Sequence, residues 1–277
     1  MNWKIPRGSC ALVTGASSGI GRAVALGLAA RGVHCVLAGR NRKRLTELAR
    51  VLSGDYGIET GILVQDLSQP GAGEKLYRAA KRAGYRIDIL VNNAGAGLKA
   101  APQHGQDLAD VRTLLALNCA AVLELATLCA ADMAKNGRGW ILNVASTASF
   151  QAMPWAALYG ATKAFVLSLS EAMHVELFRS GVAVTAICPG ITDTNFFKHG
   201  KPRVPGWLYP FLTPERVARI GLAALSRNAP VAIPAFRHWL FAQFPRVLPR
   251  ALLLRLMGVI EGRRKGVRTR KTGGHTS

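Results

Sequence analysis

From residue 10 to residue 233 of this 277-residue chain, short continuous apolar runs alternate with longer stretches of helical periodicity. Few architectures accommodate that rhythm. A strand that is apolar at every position needs both of its faces buried, which points to a parallel sheet covered by helices on both sides. The strand candidates are 10–14, 33–38, 61–64, 87–92, 140–144, 182–187 and 231–233, and the helices between them fall at 19–31, 42–52, 73–82, 107–135, 155–178 and 214–226. The pattern predicts a doubly wound α/β fold, a parallel sheet with helices on both faces, with ligands bound at the carboxyl ends of the strands. The rhythm stops at Pro234, so the chain reads as an α/β domain over 1–234 followed by an extension over 235–277.

The first turn is built for an anion. Thr14-Gly15-Ala16-Ser17-Ser18-Gly19-Ile20-Gly21 follows the first strand and opens the first helix. Gly15 suits a sharp exit from the strand, Gly19 a close backbone approach, and Gly21 tight packing of the helix. The free N–H groups of the helix start, with the Ser17 and Ser18 hydroxyls, face an incoming pyrophosphate. The bland counterpart is a glycine-rich turn that binds nothing; the strand–turn–helix context favours the binding reading.

The end of the second strand bears on cofactor choice. A site for NAD usually carries an acid there, bonded to the ribose 2′-hydroxyl. This chain has Gly39-Arg40, then Arg42, Lys43 and Arg44. A guanidinium pairs with or stacks over a 2′-phosphoadenosine, so NADP(H) is expected over NAD(H). An ordinary charged first helical turn is the alternative.

Tyr159-Gly160-Ala161-Thr162-Lys163 places Tyr159 and Lys163 on one helix face at i,i+4 spacing. A free Tyr, with a pKa of about 10, exchanges protons poorly at neutral pH. A Lys ammonium at ~5 Å and an effective dielectric of ~20 would stabilise the phenolate by roughly 3 kcal/mol, about two pKa units. Tyr159 would then give a proton to a carbonyl oxygen or take one from an alcohol. Ser146, thirteen residues upstream at the end of a strand, is placed to polarise the same carbonyl, with Ser149 as competitor. Asn118 lies inside an apolar helical stretch. It either distorts that helix and holds a water linked to Lys163, or is a satisfied core amide.

Taken in order, Thr14-Gly15-x3-Gly19-x-Gly21, Asp66-Leu67, Asn92-Asn93-Ala94-Gly95, Asn118, Ser146, Tyr159-x3-Lys163 and Pro189-Gly190 resemble the short-chain dehydrogenase/reductase family over residues 8 to 233. The resemblance implies a Rossmann-like sheet of seven parallel strands and a ketone–alcohol oxidoreductase with a nicotinamide cofactor. It implies that Asp66, with Leu67, contacts the adenine, and that Asn93, Ala94 and Gly95 lie against the cofactor. Asn118, Ser146, Tyr159 and Lys163 fall on the catalytic tetrad, and Lys163 also holds the nicotinamide ribose. Ile191, Thr192 and Thr194, after Pro189-Gly190, fall where the family binds the carboxamide and phosphate. A simple strand-end turn is the alternative reading of Asp66. The resemblance further implies a substrate lid carrying Phe196, Phe197, Trp207, Leu208, Tyr209 and Phe211, with Phe150, Met153 and Trp155 facing the same cleft. Such walls suit a bulky hydrophobic ketone or alcohol, including an acyl-type substrate; the alternative is packing of the lid on the protein's own core.

The formal net charge of +21, from 36 Lys and Arg against 15 Asp and Glu, favours anionic partners: a membrane, a phosphate-bearing ligand, a coenzyme A ester or an acidic carrier protein. No nucleic-acid-binding motif accompanies it, so nucleic acid is not expected. The extension interleaves Trp239, Phe241, Phe244 and Leu252 with Arg237, Arg246, Arg250 and Arg255. Its sequence suits peripheral membrane contact through 236–271, a cap on the cleft, or a subunit interface. Pro245 and Pro249 are expected to break it into short helices. Five scattered cysteines without metal spacing indicate a reducing compartment and no metal site. No signal-peptide pattern appears, and the apolar run 113–131, which holds Asn118 and Glu124, reads as a buried helix rather than a membrane span. A cytoplasmic homo-oligomer is expected, peripheral to a membrane if the extension docks there. A cofactor-binding scaffold without turnover is the competing reading; such a protein would be expected to lose Tyr159 or Lys163, and both are present.

Overall fold

Leu12 and Val13 are neighbours in sequence and belong to different cores. The computed structural model describes residues 3–97, 101–194 and 211–264. In it Leu12 packs with Val36, Leu90 and Ile141 on one side of a sheet, while Val13 packs with Leu37, Val91 and Leu142 on the other. The alternation of a strand sends successive side chains to opposite faces, and both faces here are dry, which is why the strands read as unbroken apolar runs.

The strands are β1 (Cys10–Thr14), β2 (His34–Gly39), β3 (Thr60–Val64), β4 (Ile89–Asn92), β5 (Gly139–Val144), β6 (Val182–Ile187) and β7 (Val231–Ala232). All pair in parallel, in the order β3-β2-β1-β4-β5-β6-β7. The helices are α1 (Gly19–Ala29), α2 (Arg42–Tyr56), α3 (Ala72–Arg82), α4 (Leu108–Leu115), α5 (Ala121–Lys135), α6 (Ala157–Leu177), α7 (Pro214–Leu225), α8 (Phe236–Val247) and α9 (Arg250–Arg264). Buried residues of α1, α2 and α7 build one core and those of α3 and α5 the other. This is the doubly wound, Rossmann-like sheet that the pattern and the resemblance predict. Its strand order reverses between β1 and β4, where such folds open a ligand crevice.

The differences from the predicted elements have local causes. The stretch 107–135 is not one α-helix: α4 and α5 are joined by a π-helical turn, Ala116–Ala120, which contains Asn118. Leu108–Lys135 is long and apolar enough to cross a membrane, but Leu114, Ala121, Leu125, Ala126, Cys129 and Met133 are buried in the fold. Helix α2 runs to Tyr56, past the expected end at 52, and stops where Gly57 takes φ +64°. Helix α6 starts at Ala157 rather than 155, because Trp155 adopts φ +60°, outside helical space and strained for a bulky side chain. Beyond β7, Pro249 separates α8 from α9, whereas Pro245 lies within α8 and does not end it.

Candidate active site

The glycine turn is fixed from beneath by β4. Thr14 Oγ1 donates to Val91 O (3.1 Å) and accepts from the Asn93 and Ala94 amides (2.9 and 3.0 Å), and Asn93 Nδ2 donates to Thr14 O (2.9 Å). Gly15 and Gly19 have φ of +63° and +55°. A Cβ on Gly15 would lie 2.7 Å from Asn93 Nδ2, and one on Gly21 would lie 2.5 Å from Gly15 O, so both positions demand glycine. Gly21 packs behind the turn and, unlike Gly15 and Gly19, is not on the cavity wall. Ser18 caps α1 without a side-chain hydrogen bond, which leaves the start of that helix to serve an anion.

A cavity of about 1060 Å³ runs along the carboxyl ends of the strands. Its wall includes Gly15, Ser17, Ser18, Gly19 and Ile20 from the first turn, and Arg40, Asn41, Arg42 and Arg44 after β2. Asn41 accepts from Arg44 N (3.0 Å), capping α2 and setting the arginines at the cavity edge. Asp66 and Leu67 continue the wall. Asp66 Oδ1 accepts from Ser68 N and Oγ (3.0 and 2.8 Å), so this residue both shapes the strand-end turn and faces the cavity. These bonds, led by the Ser68 amide and helped by Arg40, hold its carboxyl below the usual range.

At the other end, Lys163 is buried and donates from Nζ to Val144 O at 2.8 Å. Burial lowers its pKa from 10.5 to about 8. Tyr159, one turn earlier on α6, and Ser146, after β5, share the cavity wall with it. Ser149 is committed elsewhere: its hydroxyl donates to Lys163 O (2.8 Å) and accepts from Ser146 N (3.3 Å). Ser146, and not Ser149, is on the cavity wall. Asn118 sits behind the wall. Its Oδ1 accepts from Ala96 N (3.0 Å) and its Nδ2 donates to Ala96 O (2.9 Å) and Thr162 Oγ1 (3.1 Å). A Cβ on Gly95 would lie 3.3 Å from Asn118 Oδ1 and 3.4 Å from Lys163 Nζ, so both side chains close on Gly95. The amide is satisfied, and the helix around it is distorted as well: both sequence readings of Asn118 hold in part.

Asn93, Ala94 and Gly95, and Pro189, Gly190, Ile191, Thr192 and Thr194, complete the wall. A bridge between Thr192 and Leu212, with Leu212 N donating to Ile191 O (2.9 Å), pins the loop after β6. Met153 lies against Gly160 and lines the cavity as expected, whereas Phe150 packs into a small core with Val122 and Ala145, and neither it nor Trp155 is on the wall. Phe196, Phe197, Trp207, Leu208 and Tyr209 lie outside the described residues; Phe211 is described and exposed.

Two sets of residues escape sequence reading. One is a buried polar chain: Asn92 Nδ2 donates to Asn143 Oδ1 (3.0 Å), Asn143 Nδ2 to Ser170 Oγ (2.9 Å) and Ser170 Oγ to Val166 O (2.6 Å), tying β4 and β5 to α6. Polar residues within apolar runs were the available signal. The other is Ala242 and Met257, which join Phe241 of the extension in bringing α8 and α9 to the cavity wall. Nothing local in the sequence singles them out.

The residues fit a nicotinamide dinucleotide: an uncapped helix start beside positive-φ glycines takes phosphates, and the cavity has room for a dinucleotide and a substrate together. When bound, that cofactor supplies or accepts a hydride. Beside it the cavity wall offers the Ser146 hydroxyl, which could polarise a carbonyl, and the Tyr159 hydroxyl, which could move a proton next to the Lys163 ammonium.

Known proteins agree with this geometry. The family model for short chain dehydrogenase matches residues 9–203. A very-long-chain 3-oxoacyl-CoA reductase of Anas platyrhynchos is 31% identical over 265 residues, covering 92% of this chain and 82% of that protein. Among solved structures, a short-chain dehydrogenase from Sphingobium yanoikuyae in complex with NADPH superposes with a TM-score of 0.74 at 30% identity, covering 96% of this chain and 98% of the other. The bulky-bulky ketone specific alcohol dehydrogenase from Comamonas testosteroni gives 0.73 at 28% identity, covering 100% and 98%. The chain belongs to the short-chain dehydrogenase/reductase family, as an NAD(P)-dependent oxidoreductase that interconverts ketones and alcohols.

Proposed function

We propose that the protein reduces bulky hydrophobic ketones with NADPH, with Tyr159 giving the proton and Ser146 orienting the carbonyl. One observation carries this reading. The cavity has Arg40 and Arg44 at one end, with no acid at the end of β2, and at the other an apolar wall of Met153, Phe241 and Met257 beside Tyr159. The arginines suit a 2′-phosphate. The apolar wall suits a long acyl chain or fused rings. That a relative acts on 3-oxoacyl-CoA and a structural neighbour on bulky ketones supports the same substrate class, and the basic surface is compatible with a substrate carried on coenzyme A or on an acidic carrier protein.

In the reductive direction the carbonyl carbon gains a hydride and its oxygen gains the Tyr159 proton, which solvent then restores. The protein is further proposed to act in the cytoplasm as a homo-oligomer, paired through the outer faces of α5 and α6, where Leu123, Phe165 and Val175 are exposed.

The test is NADPH oxidation, followed by absorbance, against ketones graded from small to long-chain and ring-fused, beside Tyr159→Phe and with NADH as control. Turnover that requires Tyr159, prefers NADPH and rises with substrate apolarity is expected. Tight NADPH binding without turnover of any ketone, coenzyme A thioesters included, would instead support the cofactor-binding scaffold.

A further inference from the structure

Helices α8 and α9 each have a narrow inward stripe and an unusually apolar outer face. His238 and Ala242, and then Leu253 and Met257, point into the fold at i,i+4 spacing and are buried. Through these stripes and Phe241 the two helices wall the catalytic cavity, and the His238 ring lies against Gly190. On the outside, Phe236, Trp239, Leu240, Phe244 and Val247 of α8 and Leu252, Leu254 and Leu256 of α9 are all exposed. Phe236 and Trp239 stack at 5.7 Å between ring centroids, exposed by 74% and 46%. Helices that retain this much apolar surface on their outward side are seated against something apolar.

Charge names the occupant. Arg237, Arg250 and Arg255 are exposed on the same two helices. From 236 to 277 the sequence holds ten Lys and Arg against a single acid, Glu261. Aromatic and leucine side chains interleaved with arginine match an anionic lipid surface, where the rings enter the headgroup region and the guanidinium groups meet phosphates. A second copy of this chain would bring the same positive charge to the contact.

We infer that the outer face of α8–α9 docks on anionic membrane surfaces, which sets the catalytic cavity beside the lipid. Docking stands independently of the proposed substrate; that it delivers a lipid-dissolved ketone rests on the reading above.

The test uses the full chain without substrate, in flotation with phosphatidylcholine vesicles with and without phosphatidylglycerol, and with tryptophan emission as a second readout. Binding to the anionic vesicles with a blue shift is expected. Each basic side chain near the surface contributes roughly fivefold, so the three arginines favour anionic over neutral vesicles by roughly a hundredfold. The double variant Trp239→Glu/Leu240→Glu is expected to lose flotation, and Arg237→Gln/Arg250→Gln/Arg255→Gln to lose the anionic preference while keeping its circular dichroism and NADPH affinity. No flotation of the wild-type chain, or equal flotation of all three proteins, overturns the proposal. So does a wild-type oligomer that Trp239→Glu/Leu240→Glu dissociates without any vesicle binding, which would assign the face to a second copy.

Discussion

Lys163 Nζ reaches the carbonyl oxygen of Val144 at 2.8 Å, linking α6 to the end of β5 from a position closed to solvent. This bond fixes the ammonium at the floor of the cavity that Tyr159 and Ser146 also line. With the Asn143–Ser170 hydrogen bond, it anchors α6 to the sheet. Removing the Tyr159 hydroxyl leaves the Lys163 bond in place, so the change should act on chemistry far more than on folding. Tyr159→Phe is expected to lower kcat/KM for ketone reduction by about 10²–10⁴-fold, the usual worth of a positioned general acid, with circular dichroism unchanged. Steady-state kinetics on the best ketone of the panel decides it.

Burial of Lys163 also has a pH signature. Its folded-state pKa of about 8 lies below the ordinary value of 10.5. Between those limits the unfolded chain holds a proton that the folded chain has released, so stability rises with pH across this window: burial penalises the charged form, and that penalty is fully present below about 8. Below pH 8 both states are charged and the cost is at its maximum; as pH rises from about 8 to 10.5 the folded chain sheds the buried charge and the cost shrinks to the expense of deprotonating the group. Thermal unfolding of wild type and Lys163→Met across this range checks the sign: wild-type stability relative to the variant should rise over that window. The comparison cancels the buried Cys35 and Cys188 thiols, which burial pushes to about 12 and which act in the opposite direction.

Gly190 carries a second, structural prediction. A Cβ there would lie 2.5 Å from His238 Nδ1, inside a buried contact that seats α8. Gly190→Ala is expected to destabilise by about 1–3 kcal/mol through overpacking. The double variant Gly190→Ala/His238→Ala should recover part of the loss, because the ring that collides is gone. Chemical denaturation of the four proteins of this cycle measures the coupling.

Arg40 should govern cofactor choice. A guanidinium hydrogen bond to a phosphate contributes about 1.5–3 kcal/mol, so Arg40→Ala is expected to weaken NADPH by roughly 10- to 100-fold and leave NADH nearly unchanged. Arg40→Asp should go further and favour NADH. Titration of each cofactor by fluorescence reads both effects without any substrate.

The sheet was legible because burial on both faces leaves an unbroken apolar run, a pattern that few architectures produce; Leu12 and Val13 show the cause directly. The glycine turn and the Tyr159–Lys163 pair were legible because their geometry is local: a positive φ needs glycine, and i,i+4 spacing on a helix needs no knowledge of the rest of the fold. Tertiary structure alone decided the remainder. Ser149 lies off the cavity wall, with its hydroxyl on Lys163 O across two elements, while Ser146 lies on it. Asn118 acquired a π-helical turn and a clamp on Ala96, a residue on the loop after β4. Phe150 and Trp155 are not on the cavity wall, and Phe241 and Met257 came to it from the far end of the chain. Periodicity and turn chemistry follow from the conformation of neighbouring residues, so one sequence determines them. Which side chains converge on a cavity depends on how distant elements pack, and no sequence interval records that distance.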